Sequence, residues 1–501
     1  MVAILQDLPN SPEYRSKLRY AWRVCSVTSL GIVLIGISGS TLNVALPEVV
    51  RHFHADAFAS GWILLAYLLV STATLVLFGR VADLLGRREV YLAGFALFTA
   101  ASLLAGLSPT VWFLIAMRAV QAVGAAMILA NGTVIITDAF PPDRLSQGMG
   151  VYIGAFSVAQ LAGPTLGGLV AQAAGWQWIF WVNVPAGLIA LVWGAIILGR
   201  LPPKPREPMD VLGNLLVFAV LSATLVALSE AGSRGLSSPV VIIGAGVAAI
   251  LTPILVTVER RASHPVLDVR LFGRRLLAFA NLASFCNALA RAALILLAAL
   301  YFQTVQGVDA LTASLGVLPI PVGMAVASPV AGALGHRISP RALSVGGSLL
   351  SAAGLGVLLL TADPATPYWV VGVGLLLCGC GNGSFLTGNT TQVMAALPAG
   401  SLGVVNGFRL MIMNVGMVLS VALSLSVLTG SVSAELRGQV YSGTLSSASP
   451  AAVEQLMDGF RRTYAALFAV ALAGALASAL ARPRRARAGG GHDGGRATSQ
   501  T

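Results

Sequence analysis

Three arginines, Arg118, Arg291 and Arg409, stand within apolar stretches that hold no aspartate or glutamate. A guanidinium stays protonated and presents five donors in a planar fork, so in a low-dielectric setting it has to meet a cavity, a backbone carbonyl or an anion. Such a set can hold an anionic or zwitterionic ligand; it cannot by itself make or break bonds. Arg291, near the middle of its stretch, is the candidate contact for an anionic or zwitterionic ligand. Arg409 lies nearer one end, where a long side chain can snorkel to the interface. Amides accompany the arginines: Asn43, Gln121, Asn131, Gln160, Asn281, Asn287, Gln303, Asn382, Asn389, Asn406 and Asn414 all fall within or at the end of apolar stretches. One such amide is most simply an interhelical hydrogen bond, whereas the whole set suits a hydrated pathway. The five histidines sit in loops, ends or the tail, and no stretch carries the His/Asp/Glu cluster that a membrane hydrolase needs. His52 and His54 lack a third ligand, so no metal is expected. Cys378 and Cys380 lie on opposite faces of a helix, against a redox pair. No glycine-rich phosphate loop with lysine occurs. The sequence therefore predicts neither an enzyme nor a bound cofactor.

The elements that position these groups are fourteen apolar stretches, at 24–47, 60–79, 89–107, 111–136, 148–171, 178–198, 211–229, 239–258, 276–304, 312–334, 342–361, 368–390, 403–428 and 463–481. Each approaches the ~20 residues that cross a ~30 Å hydrocarbon core as a helix, and barrel strands would be half as long and alternating. The predicted fold is an all-α polytopic membrane protein. Of 31 Lys and Arg, 23 lie before the first stretch, in the gaps after even-numbered ones, or in the tail. The positive-inside rule then sets both termini in the cytoplasm. It also accounts for the +12 net charge, which is split among short loops, so no nucleic acid is expected as partner. The polar first 23 residues and the length of the first stretch argue against a cleaved signal. The tail 482–501 reads as a short basic disordered end.

The gap after the second stretch reads Gly79-Arg80-Val81-Ala82-Asp83-Leu84-Leu85-Gly86-Arg87-Arg88. It resembles the signature loop of the major facilitator superfamily, with Gly79, Asp83, Gly86, Arg87 and Arg88 on the pattern and Leu84 where a basic residue is usual. The resemblance implies that Asp83 lies against the cytoplasmic start of a helix in the other half and latches the outward-facing state. An echo after the tenth stretch, Gly332 to Arg341, carries His336 in the acidic position. Equivalent loops after stretches two and ten imply two six-helix halves, at 24–198 and 276–481, with 199–275 holding a linker and two inserted helices.

In the fifth stretch, Gly163-Pro164-Thr165-Leu166-Gly167-Gly168 is similar to the antiporter motif of exporters in that superfamily. Trp176 to Pro185, the run Leu42 to Pro47 and the run Arg118 to Ala126 are similar to the 14-span drug:proton antiporter family. That resemblance implies efflux of small amphipathic molecules from the cytoplasm by a cell-membrane protein, coupled to protons, and it makes Arg118 a structural or coupling residue. Gln121 and Asn43 join Ser38, Arg118 and Arg291 as pathway candidates, and a monomer is expected. One departure stands out. Family members commonly carry aspartate at the position of Ser38, and serine cannot load a proton. With no carboxylate there, the central potential is expected to be positive and to prefer anionic or zwitterionic cargo over lipophilic cations.

Overall fold

The computed structural model describes residues 11–199, 211–234, 238–261, 275–397, 401–430 and 450–482. Among these, thirteen helical segments are long and apolar enough to cross a membrane. They are α1 Pro12–Phe53, α2 Ala57–Leu85, α3 Arg87–Gly106, α4 Val111–Ala139, α5 Leu145–Ala174, α6 Trp178–Ile197, α8 Pro239–Arg261, α9 Arg275–Val305, α10 Thr312–Leu334, α11 Pro340–Leu360, α12 Tyr368–Ala395, α13 Leu402–Gly430 and α14 Pro450–Leu480. The seventh expected stretch lies in a further helix, α7 Val211–Arg234, whose described apolar part runs over Leu215–Thr224. The chain is a multi-pass α-helical membrane protein.

Local chemistry sets the helix starts. Ser11, Asp56, Thr110 and Ser339 each take a backbone N–H three residues on, at 3.1, 2.7, 3.2 and 3.2 Å, and Pro12 and Pro340 follow two of them. Two helices begin well before their apolar stretches. The first turns of α1 run through residues expected to be a polar segment, and Tyr14 there donates to Asp143 at 2.6 Å. Helix α14 starts at Pro450 rather than near 463. Periodicity of apolar residues marks only the part of a helix in lipid, so polar helical turns beyond it go unseen.

Packing repeats with a shift of eight helices. Helix α1 packs on α5 and α6 as α9 packs on α13 and α14; α2 packs on α4 as α10 on α12; α3 packs on α4 and α6 as α11 on α12 and α14. Across the bundle, α2 packs on α13 and α10 on α5. Helices α7 and α8 pack on each other, and α7 lies against α2 and α13, with Val217 and Leu221 in one cluster with Val76 and Met411. Ile242, Ile243 and Ile250 of α8 are more than three-fifths exposed, an outward face suited to lipid.

Helix α9 is interrupted. Its first part ends at Arg291, a turn follows at Ala292 and Ala293, and the helix resumes over Leu294–Leu300. No proline or glycine lies at the break. The Ala293 N–H is instead taken by Ser420 Oγ of α13 at 3.0 Å, an inserted side chain of the kind that opens a helical ladder.

Candidate transport and gating sites

At the α2–α3 turn, Gly86 ends one helix and starts the next with φ +109, which a side chain rarely adopts. The reversal brings Arg87 of α3 back onto Asp83 of α2, four residues earlier, and both are buried. Arg87 donates to Asp83 Oδ1 at 2.9 Å through Nη2 and 3.2 Å through Nε, and through Nη1 to Asp138 near the end of α4. Arg88 takes another path, donating to the carbonyls of Leu198 at 2.7 Å and Ala195 at 3.0 Å at the end of α6. A cavity of about 150 Å³ lies beside this network, lined by Tyr20, Arg87, Arg88 and Asp138 among others.

Asp83 faces the first turn of α13. A Cβ on Gly403 would stand 2.9 Å from Asp83 Oδ2, and a Cβ on Gly79 would fall 2.3 Å from the Gly403 carbonyl oxygen. One α2 turn away, Gly407 approaches the Leu75 carbonyl as closely, at 2.6 Å for its notional Cβ. The matching seam joins α5 to α10, where a Cβ on Gly150 would meet the Ser328 carbonyl oxygen at 2.5 Å and one on Gly332 the Ser146 carbonyl oxygen at 2.7 Å. Two backbone-to-backbone seams thus close the bundle at the Asp83 end. Asn406 adds a polar tie, donating to the Ala130 carbonyl at 2.9 Å while accepting from Arg409 at 3.1 Å. Arg409 is therefore buried in the bundle and does not snorkel. Position along a helix cannot say whether the face meets lipid or protein.

The G-P-x-x-G-G run forms a third seam, within one side of the bundle. A Cβ on Gly163 would lie 1.7 Å from Ser40 Oγ and one on Gly167 would lie 2.8 Å from Thr41 Cα, so α1 and α5 touch through these two glycines. Pro164 is exposed inside α5 and Gly168 is half-buried.

Of the pathway candidates, Ser38, Arg118 and Gln121 come together. Arg118 donates to Gln121 Oε1 at 2.5 Å; the Gln121 amide donates to Ser102 Oγ at 2.7 Å and Ser38 Oγ at 3.4 Å; and the guanidinium lies over the Tyr67 ring at 4.2 Å. Cation–π contact and an amide oxygen thus stand where a carboxylate would otherwise hold this charge. The side chain of Asn43 lies outside the described residues. Arg291 is not part of this cluster: its neighbours belong to α9–α14, beside a small cavity lined by Asn287, Ser348, Ser351, Cys378 and Gly474. Four of the eleven amides, Asn131, Asn281, Asn389 and Asn406, donate to backbone carbonyls, and others reach side chains. Asn131 and Asn281 bond to their own helices, Asn389 to the Ala280 carbonyl, and Asn382 to Met324 Sδ.

Sequence reading missed Tyr67 under Arg118, Ser102 accepting from Gln121, and Thr72, which accepts from Asn414 across α2 and α13 at 2.8 Å. It also missed Gly403, Gly407, Gly150 and Gly154, whose i, i+4 spacing is the small-residue signal of close helix contact.

The sequence matches the Major Facilitator Superfamily over residues 28–421, with a second match over 280–497, and the chain belongs to that family. It is thus a transporter and not an enzyme. It is 31% identical over 411 residues to the multidrug resistance protein Stp of Mycobacterium tuberculosis, covering 82% of this chain and 76% of that one. It is 28% identical to the riboflavin transporter RibZ of Clostridioides difficile, covering 81% and 88%, and 29% identical to the tetracenomycin C resistance and export protein of Streptomyces glaucescens, covering 79% and 73%. Among solved structures, the human organic anion transporter MFSD10 superposes with TM-score 0.61 at 19% identity, covering 92% of this chain and 99% of that one. The proton:xylose symporter XylE superposes with TM-score 0.62 at 14% identity, covering 92% and 95%. These two likenesses concern the fold alone.

Proposed function

We propose that this transporter exports small amphipathic molecules from the cytoplasm across the cell membrane by alternating access. Two halves, 24–198 and 276–481, rock about a central site, and the segment 199–275 contributes the inserted pair. The observation that carries this reading is the pair of glycine seams, α2 on α13 and α5 on α10, at the end marked by Asp83. Backbone surfaces without interlocking side chains can part and re-form as rigid bodies, which is what a gate requires. The network of buried Asp83 and Arg87 with the exposed Asp138 fixes the shape of one side of that gate and sets the Asp83 carboxylate at the α13 N-terminus, where negative charge is favoured.

Export is supported by the α1–α5 contact through Gly163 and Gly167, and by the similarity to the multidrug resistance protein Stp and the tetracenomycin C resistance and export protein. Protons are the proposed coupling ion, with the termini in the cytoplasm and the monomer as the working unit. A second reading, a dedicated exporter of one metabolite or anionic compound with atypical coupling, is favoured by Ser38 beside Arg118 and by the riboflavin transporter among the relatives. Proteoliposome assays separate the two. With an imposed pH gradient, the first reading expects uphill movement of several unrelated amphipaths, ethidium included, and the second expects one compound class with weak response to the gradient. No transport of any compound under any gradient would contradict both. Ser38→Asp should raise the response to the pH gradient and shift preference toward cations.

A further inference from the structure

Arg291 is the one of the three intramembrane arginines with no hydrogen bond to oxygen among the described residues. Its Nη2 reaches Met417 Sδ at 3.7 Å, and its Nε is buried without a partner. The cavity beside it, with room for about one water-sized sphere at about 10 Å³, is lined by no acidic residue. Two other polar groups there are also unsatisfied: Ser348 Oγ and Asn287 Oδ1, on side chains 3% and 6% exposed. Arg291 is half-buried with its Nε fully enclosed, and a guanidinium so placed without a counter-charge is costly and cannot escape by losing its proton. The break in α9 falls at the same point, so the helix is irregular where it meets the cavity, a combination that membrane helices keep for ligand sites.

We propose that this cavity is a subsite for one compact monovalent anion, supplied either as free chloride or as a carboxylate on the transported molecule. Arg291 provides the charge, the Ser348 hydroxyl donates a hydrogen bond, and Asn287 turns its amide so that Nδ2 donates in place of the unpartnered oxygen. The space suits a halide or a single carboxylate oxygen and excludes a large ring system, so an amphipathic substrate would insert only its charged end. The carboxylate source rests on the exporter reading; the chloride source does not.

Thermal unfolding of the purified full-length protein, with chloride exchanged for gluconate at fixed ionic strength and then with carboxyfluorescein added in chloride-free buffer, tests the site. Saturable stabilisation by chloride assigns it to the free ion. Stabilisation by carboxyfluorescein that chloride competes away assigns it to a substrate carboxylate. In either case the apparent affinity should weaken about tenfold in Arg291→Met and by a smaller factor in Ser348→Ala. If Arg291→Met does not fold, the wild-type titrations and Ser348→Ala carry the test. No saturable stabilisation by either anion, or equal stabilisation in wild type and Arg291→Met, overturns the proposal. Because binding is read without transport, this failure leaves the exporter reading standing, and a failed transport assay leaves the binding result standing.

Discussion

The α2–α3 turn and the α10–α11 turn occupy equivalent places in the repeat, yet they differ in chemistry. Both send an arginine to the end of another helix: Arg88 donates to carbonyls closing α6, and Arg341 to the Ala479 carbonyl closing α14. Only the first turn adds a charge network, Asp83–Arg87–Asp138. In the second, exposed His336 and half-buried Pro340 take the places of Asp83 and Arg87, and among the described residues His336 hydrogen-bonds to the carbonyl of Ala333 and to its neighbour Arg337. The shared arginine caps the end of a neighbouring helix by satisfying its last carbonyls. The unshared network distinguishes one seam from the other, and on the proposed gating mechanism it is where conformational control would be concentrated.

The largest effects should come from the seams themselves. Gly79→Leu and Gly332→Leu each force a side chain into a neighbouring backbone, and transport should fall below about a tenth of wild type with the protein still inserted. Retention of transport by either variant would show that the seams do not need to close. Gly163→Leu should be as severe, because its side chain would enter Ser40 on α1.

An intermediate effect should separate the two turns. Asp83→Asn removes a buried charge from Arg87 and should slow transport about tenfold, whereas His336→Asn should change it less than about twofold. Equal effects would erase the distinction drawn between the turns. The smallest effect should be common to both: Arg88→Ala and Arg341→Ala each lose a charged cap, with a stability loss of about 1 kcal/mol by denaturant unfolding and little change in transport rate. A collapse of transport in only one of them would give that arginine a gating role.

Much of this was legible in the chain. Stretch length gave the helices, and the Gly79–Arg88 loop pointed to a helix start beyond its own six-helix run; the structure sets Asp83 beside Gly403. What stayed hidden depends on contacts between distant helices. Nothing near Arg118 predicts that Tyr67 lies under it, and the break in α9 arises from Ser420, more than a hundred residues away. Arg291 sits midway along its helix, as its sequence position suggests, yet helix rotation turns it toward α10–α12 and α14, which no hydropathy pattern of one helix can disclose.

The central claim is that the Asp83 end opens and closes during transport. Leu85 and Ile338 lie on the two turns at that end and are 67% and 37% exposed, so both accept spin labels. Pulsed electron resonance distances between labels at these two positions in reconstituted protein should show one short population that gains a longer one in Gly403→Leu or on adding a transported compound. A single unchanged distance under all of these conditions, in protein that still transports, would contradict the account.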